Sequence, residues 1–426
     1  MSIEQTVLEI AKRARKASLE LANLDAAKKN AALLKIAVNL RQSASLILRE
    51  NRKDVHEASV AGLSKPMIER LSLDEAKIEK MALGVEEVAA LPDYVGEIIE
   101  SIVRPNGIKI DKVRVPIGVI GIIYESRPNV TVDCAALCLK SGNAAILRGG
   151  KECFNTNLVL AALISNALDA CGIPESAVQI LPTSDRAALT AMLKLDTYIN
   201  CIIPRGGEGL IRFVAENSTI PVIKHYKGVC NVYIDKFADL KTALNIAVDA
   251  KCQRPSVCNA AENLIAHKDA VPVFLKVAEA LSARGVEIRA TKDVKELLLE
   301  NGIRALDASP EDFDTEYGDL IIAADIVESL PAAIDFVNAH SSAHSDCIVT
   351  QDAQRAEEFL NGVDSATVYW NASTRFTDGF EFGFGAEIGI STDKLHARGP
   401  MGLKELNSYK YKIRGEGQTR GKPALL

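Results

Sequence analysis

The sequence has no surplus of positive charge: 426 residues carry 50 Lys and Arg against 56 Asp and Glu, a formal net charge of −6. That balance excludes a general nucleic-acid binder, so an anionic ligand must be held by local cations and not by a global field. No uninterrupted apolar run is long enough to span a bilayer. The N-terminus mixes Glu4, Glu9, Lys12, Arg13 and Arg15 on an amphipathic helix, unlike a secretory signal. There is no CxxC pair. Cys134 and Cys138 share a helix face without the second pair or histidines that zinc requires, and His340-Ser-Ser-Ala-His344 lacks the glutamate of HExxH. No metal is expected. The usual GxGxxG is missing as well.

What remains is the composition of a globular protein, 48% hydrophobic and 25% charged, long enough for two or three domains. Nine cysteines, odd in number and unevenly spaced, read as reduced thiols of a cytoplasmic protein. The first part is helical, with apolar stripes at Val7, Ile10, Ala11, Ala14 and at Leu33, Ile36, Ala37, Leu40. Alternating stretches 98–103 and 108–115 flank Pro105-Asn106-Gly107 and read as a hairpin, a projecting arm. From Val119 the rhythm becomes strand, helix, strand. Strands are expected at 119–123, 144–147, 178–181 and 198–203, and helices at 131–140, 155–170, 186–193 and 208–216. A second α/β series starts at 229–234, with a helix at 240–249, a strand at 264–266, a helix at 270–283 and strands near 287, 320, 345 and 366. Continuous apolar strands between helices imply parallel sheets covered on both faces.

Between helix 240–249 and the next strand lies Gln253-Arg-Pro-Ser-Val-Cys258-Asn-Ala260. A thiol there has Lys251 and Arg254 close in sequence and no carboxylate between Asp249 and Glu262. Nearby positive charge favours the thiolate, the nucleophilic form. The alternative is a buried structural cysteine. Two glycine turns follow expected strands: Arg148-Gly149-Gly150-Lys151-Glu152 and Pro204-Arg205-Gly206-Gly207-Glu208-Gly209. Each couples a permissive backbone to a cation where open α/β sheets bind ligands. Tyr124-Glu-Ser-Arg127-Pro-Asn129 leaves a further strand with polar groups, either an ordinary turn or donors for an acyl oxygen.

The order Gly118-x-x-Gly121, Arg148-Gly-Gly-Lys151-Glu152, Pro204-Arg-Gly-Gly207, Cys258 and Gly399-Pro-Met-Gly402-Leu-x-x-Leu-x-x-Tyr409-Lys410 resembles the aldehyde dehydrogenase superfamily over essentially the whole chain. The strings from Tyr124 to Asp133, Gln253 to Ala260, Asn371 to Asp378 and Glu387 to Leu403 are similar to its branch that reduces an acyl phosphate. The resemblance implies an α/β fold of two parallel-sheet domains, a Rossmann-like cofactor domain and a catalytic domain, with a small β oligomerisation arm. On that basis 1–96 and 118–228 form the NADPH-binding domain, 229–405 the catalytic domain, and 97–117 with 406–426 the arm.

The implied reaction is reduction of L-glutamyl 5-phosphate by NADPH to glutamate 5-semialdehyde and phosphate, the second step of proline biosynthesis, through a thioester on Cys258. Implied partners are that small molecule, further copies of the chain, and glutamate 5-kinase as a functional associate. Neither nucleic acid nor membrane is among them. Hydrolytic relatives carry a glutamate that activates water; here the corresponding stretch is Lys224-His225-Tyr226-Lys227-Gly228, without a carboxylate. The oxyanion donor falls on Arg127 or Asn129. Arg148, Gly149, Gly150, Lys151, Arg205, Gly206, Gly207 and Glu316 are the cofactor candidates, and Arg254, Arg375 and His225 are the substrate candidates. Two rivals stand beside this reading: a coenzyme A-dependent acylating aldehyde dehydrogenase, and a catalytically silent scaffold that kept the fold.

Overall fold

The computed structural model describes residues 2–224 and 226–421, and packing divides the chain into two units. The first comprises the chain to Ile223, Phe384–Ile388, and the chain from Met401 on; the second comprises Lys224–Gly383 and Gly389–Pro400. Among the described residues no single helix is long and apolar enough to cross a membrane.

The first unit begins with five helices, α1 (Ile3–Leu21), α2 (Ala26–Gln42), α3 (Ala44–Val60), α4 (Lys65–Leu71) and α5 (Glu75–Ala90). Side chains of Ser2, Asp25 and Asp74 accept backbone N–H groups at the starts of α1, α2 and α5, which fixes where each helix begins. The apolar stripes of α1 and α2 are buried as their spacing predicts, and α2 packs on α5. Strands β1 (Ile98–Val103) and β2 (Lys109–Pro116) form the expected hairpin, with Gly107 at φ +86° in its turn.

Then come β3 (Val119–Tyr124), α6 (Asn129–Lys140), β4 (Ala144–Arg148), α7 (Phe154–Ala170), β5 (Val178–Ile180), α8 (Arg186–Met192), β6 (Cys201–Arg205) and α9 (Glu208–Asn217). The sheet is parallel, in the order β5-β4-β3-β6. All six residues of β3 are buried, as a central strand covered on both faces requires. Strand β6 starts three residues later than the apolar run at Tyr198 suggests. Asn200 bonds Val119 through both its own N–H and its side-chain oxygen, each at 2.9 Å, and Tyr198 and Ile199 are held in a turn on the Leu195 carbonyl.

The second unit contains β7 (Cys230–Ile234), α10 (Leu240–Cys252), β8 (Ala261–His267), α11 (Val271–Ser282), β9 (Glu287–Ala290), α12 (Lys292–Glu300), β10 (Leu306–Asp307), β11 (Ile321–Val327), α13 (Leu330–His340), β12 (Ser345–Val349), α14 (Ala353–Gly362) and β13 (Thr367–Trp370). Seven parallel strands run β10-β9-β11-β8-β7-β12-β13. Val232 and Ile234 join one apolar cluster, with Phe274 and Val277 of α11; Tyr233 between them joins another, with Val337 and Phe359 of α13 and α14. Alternate residues of one strand thus feed two cores, which is why the sequence reads as unbroken apolar runs. A short ribbon of β14 (Ile390–Ser391) and β15 (Gly399–Pro400) follows. Back in the first unit, β16 (Asn407–Arg414) pairs with β2 to complete a three-stranded antiparallel sheet, β1-β2-β16. Its edge strands expose Ile98, Ile99, Ile102, Val103, Tyr409, Tyr411 and Ile413.

One ion pair in the second unit brackets the cysteine segment. Lys251, in the last turn of α10, meets Glu262, near the start of β8, at 2.6 Å, and both side chains are fully buried. Burial pushes Glu262 up to about 7 and Lys251 downward against their mutual attraction. Breaking such a pair leaves an uncompensated buried charge, so Lys251→Met should cost about 3–5 kcal/mol in urea unfolding, with much of it recovered in Lys251→Met/Glu262→Leu. Equal stability of wild type and single variant would show that the pair does not hold these element ends.

Candidate active site

In the first unit, Arg148, Gly149 and Gly150 follow β4, and Arg205, Gly206 and Gly207 follow β6. Both strands neighbour β3. Chain order runs from β3 to one side and returns to β6 on the other, which makes the carboxyl edge beside β3 a topological switch point, the ligand crevice of open α/β sheets. The structure therefore brings seven of the cofactor candidates to one sheet edge, with Lys151 exposed just beyond Gly150. A β-carbon on Gly149 would lie 2.1 Å from the Asn157 amide nitrogen, and one on Gly206 would lie 2.5 Å from a Glu125 carboxylate oxygen. At Gly149 the buried Asn157 leaves no room for a β-carbon, whereas at Gly206 the obstacle is the movable end of Glu125.

Arg148 donates from Nη2 to the Ser184 carbonyl at 2.9 Å, while its buried Nε has no partner. A buried donor without an acceptor is costly, and an incoming anionic group would satisfy it. The Gly207 N–H, at the start of α9, donates instead to the Glu125 carboxylate at 2.9 Å. A phosphate seated on that turn must displace Glu125. Sequence reading passed over this residue, although a carboxylate directly after a buried strand was its visible signal. These features fit an anionic dinucleotide.

Arg127 lies exposed in the turn before α6. Asn129 is committed: its amide donates to Asp133 at 2.9 Å, one helical turn on. Desolvation raises the Asp133 carboxyl to about 6 against the donation from Asn129.

Cys258 lies in the second unit and can be compared with the eight other cysteines of the chain. None is joined to another by a disulfide. Burial pushes the thiols of Cys134, Cys153, Cys201 and Cys347 up to about 12, and those of Cys138 and Cys230 well above the ordinary range. Such thiols are inert nucleophiles. Cys258 is half-buried on a turn between α10 and β8, at the amino edge of its sheet. The Cys230 thiol donates to the Cys258 carbonyl at 3.3 Å. Gly228 packs against the turn so closely that a β-carbon would fall 2.0 Å from the Cys258 carbonyl oxygen.

Arg254 is exposed on the same loop, and Glu316 is exposed in the connection before β11. Arg375, in a short 3-10 turn after β13, donates from Nε to Gln253 at 3.0 Å and from Nη1 to Asn259. His225 lies outside the described residues. Lys224 pairs with Asp393 at 3.1 Å. Among the described residues no cluster of His, Cys, Asp or Glu is placed to hold a metal ion.

Residues 2–294 match the model of the aldehyde dehydrogenase family. A gamma-glutamyl phosphate reductase from Opitutus terrae is 57% identical over 420 residues, 98% of this chain and 99% of the relative. The crystal structure of gamma-glutamyl phosphate reductase from Thermotoga maritima superposes with a TM-score of 0.95 at 45% identity, over 97% of this chain and 100% of that one. An acetylating aldehyde dehydrogenase from Geobacillus thermoglucosidasius shares the fold, with a TM-score of 0.69 at 15% identity over 99% of this chain and 98% of that one. The chain belongs to the aldehyde dehydrogenase family. Within that family it groups with the gamma-glutamyl phosphate reductases.

Asp133 carries a pH prediction. Its folded value is raised, so its contribution to stability is full below the unfolded value of 3.8 and is lost as pH rises to about 6. Asparagine mimics the protonated form. Asp133→Asn should unfold at higher urea than wild type near about pH 7.5, and the margin should close near about pH 4. A pH-independent difference would mean that Asp133 does not titrate as its burial dictates.

Proposed function

We propose that the chain reduces L-glutamyl 5-phosphate to L-glutamate 5-semialdehyde and phosphate, in the cytoplasm, as the second step of proline biosynthesis. The substrate comes from the name its relatives share; the chemistry rests on the cysteine loop. One observation carries it: Cys258 is a half-buried thiol on a turn that bears Arg254 and is gripped by Arg375, while seven other thiols are raised by burial.

In this reading the Cys258 thiolate attacks the γ-carbonyl carbon, and the carbon–oxygen bond to phosphate breaks with its electron pair leaving on phosphate. Phosphate is a weakly basic leaving group, so little acid catalysis is needed. When bound, NADPH supplies the hydride that reduces the resulting thioester. The chain holds NADPH with Arg148, Gly149, Gly150, Lys151, Arg205, Gly206 and Gly207. Collapse of the thiohemiacetal returns the electron pair to sulfur and frees the aldehyde. Backbone N–H groups beside Cys258 donate to the oxyanion, and one such donor is typically worth about 2.7–4 kcal/mol. Arg254 takes the substrate's α-carboxylate. The stretch 224–228 carries no carboxylate, and Asp393 is paired with Lys224, so the carboxylate that activates water in hydrolytic relatives is missing and the thioester resists hydrolysis. The exposed apolar residues on β1 and β16 suit pairing with a second copy, and glutamate 5-kinase supplies the acyl phosphate.

The reverse reaction tests this. Oxidation of glutamate 5-semialdehyde with NADP⁺ should require inorganic phosphate, should not respond to coenzyme A, and should fall by about a thousandfold or more in folded Cys258→Ala. Dependence on coenzyme A instead would overturn the substrate assignment, and retained activity would overturn the thioester. Arg148→Ala should lower the preference for NADPH over NADH by about tenfold to a hundredfold, the worth of one charged hydrogen bond. An unchanged ratio would remove Arg148 from cofactor discrimination.

A further inference from the structure

Arg375 was a substrate candidate in the sequence, yet its guanidinium is already engaged. Nε donates to the Gln253 side chain at 3.0 Å, and Nη1 donates to the Asn259 side-chain oxygen. Gln253 and Asn259 stand on either side of Cys258 in the chain. A guanidinium grips a carboxylate through paired nitrogens, and each of its gripping edges has one nitrogen committed here. The contact is reciprocal. Asn259 donates from Nδ2 to the carbonyls of Arg375, at 3.2 Å, and Thr377, at 2.9 Å; the Thr374 hydroxyl donates to the Asn259 carbonyl at 2.7 Å. Asn259, Thr374 and Thr377 are buried, so these bonds form away from water.

We infer that Arg375 is a positioning residue, the clamp that closes the loop Gln253–Asn259 around Cys258 and holds positive charge beside its sulfur. The inference rests on the reading of Cys258 as the nucleophile. A guanidinium bonded to both Gln253 and Asn259 sits on the loop that carries Cys258 between them, and burial lowers its pKa against the pull of Asp249. The other charges around the loop are Arg254 on the loop itself, Asp249 on α10 and Asp378 beyond the 3-10 turn; the Cys230 thiol approaches from β7, with Asp346 of β12 behind it. A planar fork with two anchors fixes where its charge sits, which a lysine cannot do.

The test compares full-length wild type with Arg375→Gln and Arg375→Lys. Alkylation of Cys258 by iodoacetamide, a neutral reagent with no carboxylate to recognise, is followed against pH by peptide mass spectrometry. Kinetic constants are taken for phosphate-dependent oxidation of glutamate 5-semialdehyde. Arg375→Gln should move the alkylation midpoint up by about one pH unit or more, slow alkylation near neutrality about tenfold, and lower kcat more than it raises KM. Arg375→Lys should fall between the two. An unchanged midpoint in both variants with a raised KM and intact kcat would overturn the clamp and make Arg375 a carboxylate ligand. If Arg375→Gln does not fold, Arg375→Lys and Gln253→Leu decide, since each loosens one anchor: a fall in kcat supports the clamp, and a rise in KM alone overturns it. Wild-type activity that survives complete alkylation of Cys258 would instead sink the nucleophile reading, a failure distinct from that of Arg375.

Discussion

The contact on which the cysteine turn depends is one that excludes a side chain. At Gly228, just before β7, the backbone lies against the backbone of Cys258 so closely that a β-carbon would sit 2.0 Å from a carbonyl oxygen and 2.5 Å from the Cys258 Cα. Neither chain can retreat freely. The approach to β7 is fixed by the bonds of Val229 to Ser342, and the cysteine loop is fixed at its ends by Lys251 and Glu262. A thiol held by its main chain keeps one trajectory toward a carbonyl carbon, and orientation of that kind is worth more to a rate than any single added charge.

The two units place chemistry at opposite edges of their sheets. In the first, the glycine turns follow the carboxyl ends of β4 and β6, where backbone N–H groups and the N-terminus of α9 point outward and an anion is welcome. That site is poised, with the Glu125 carboxylate on the Gly207 N–H and an unsatisfied nitrogen on Arg148. In the second, Cys258 precedes β8 at the amino edge, so the rule that finds ligands at carboxyl edges does not find the thiol. Local cations, not strand polarity, define it.

Much of the fold was legible because its signals are local. The apolar runs of β3, of 232–234 in β7 and of 264–266 in β8 require cover on both faces, and the Pro105-Asn-Gly107 turn sets the hairpin register. Asn129 and Asp133 stand four residues apart on one helix, a spacing that brings side chains together, so their bond was readable and was missed. The start of β6 was misplaced because Asn200 prefers its bonds to Val119 over continuing a strand, a choice that depends on a residue 81 positions away.

The sequence by itself determined the parallel α/β architecture, the glycine turns and the identity of the candidate nucleophile, because periodicity and short strings are properties of neighbours along the chain. Only the tertiary structure decided what each cation does. Arg148, Arg254 and Arg375 are alike as letters, yet one keeps a buried nitrogen unpaired, one stands in solvent, and one is spent across 122 residues on Gln253. The reason is physical: a guanidinium's role is set by which acceptors reach it and how much water remains, and both are fixed by packing between segments remote in the chain.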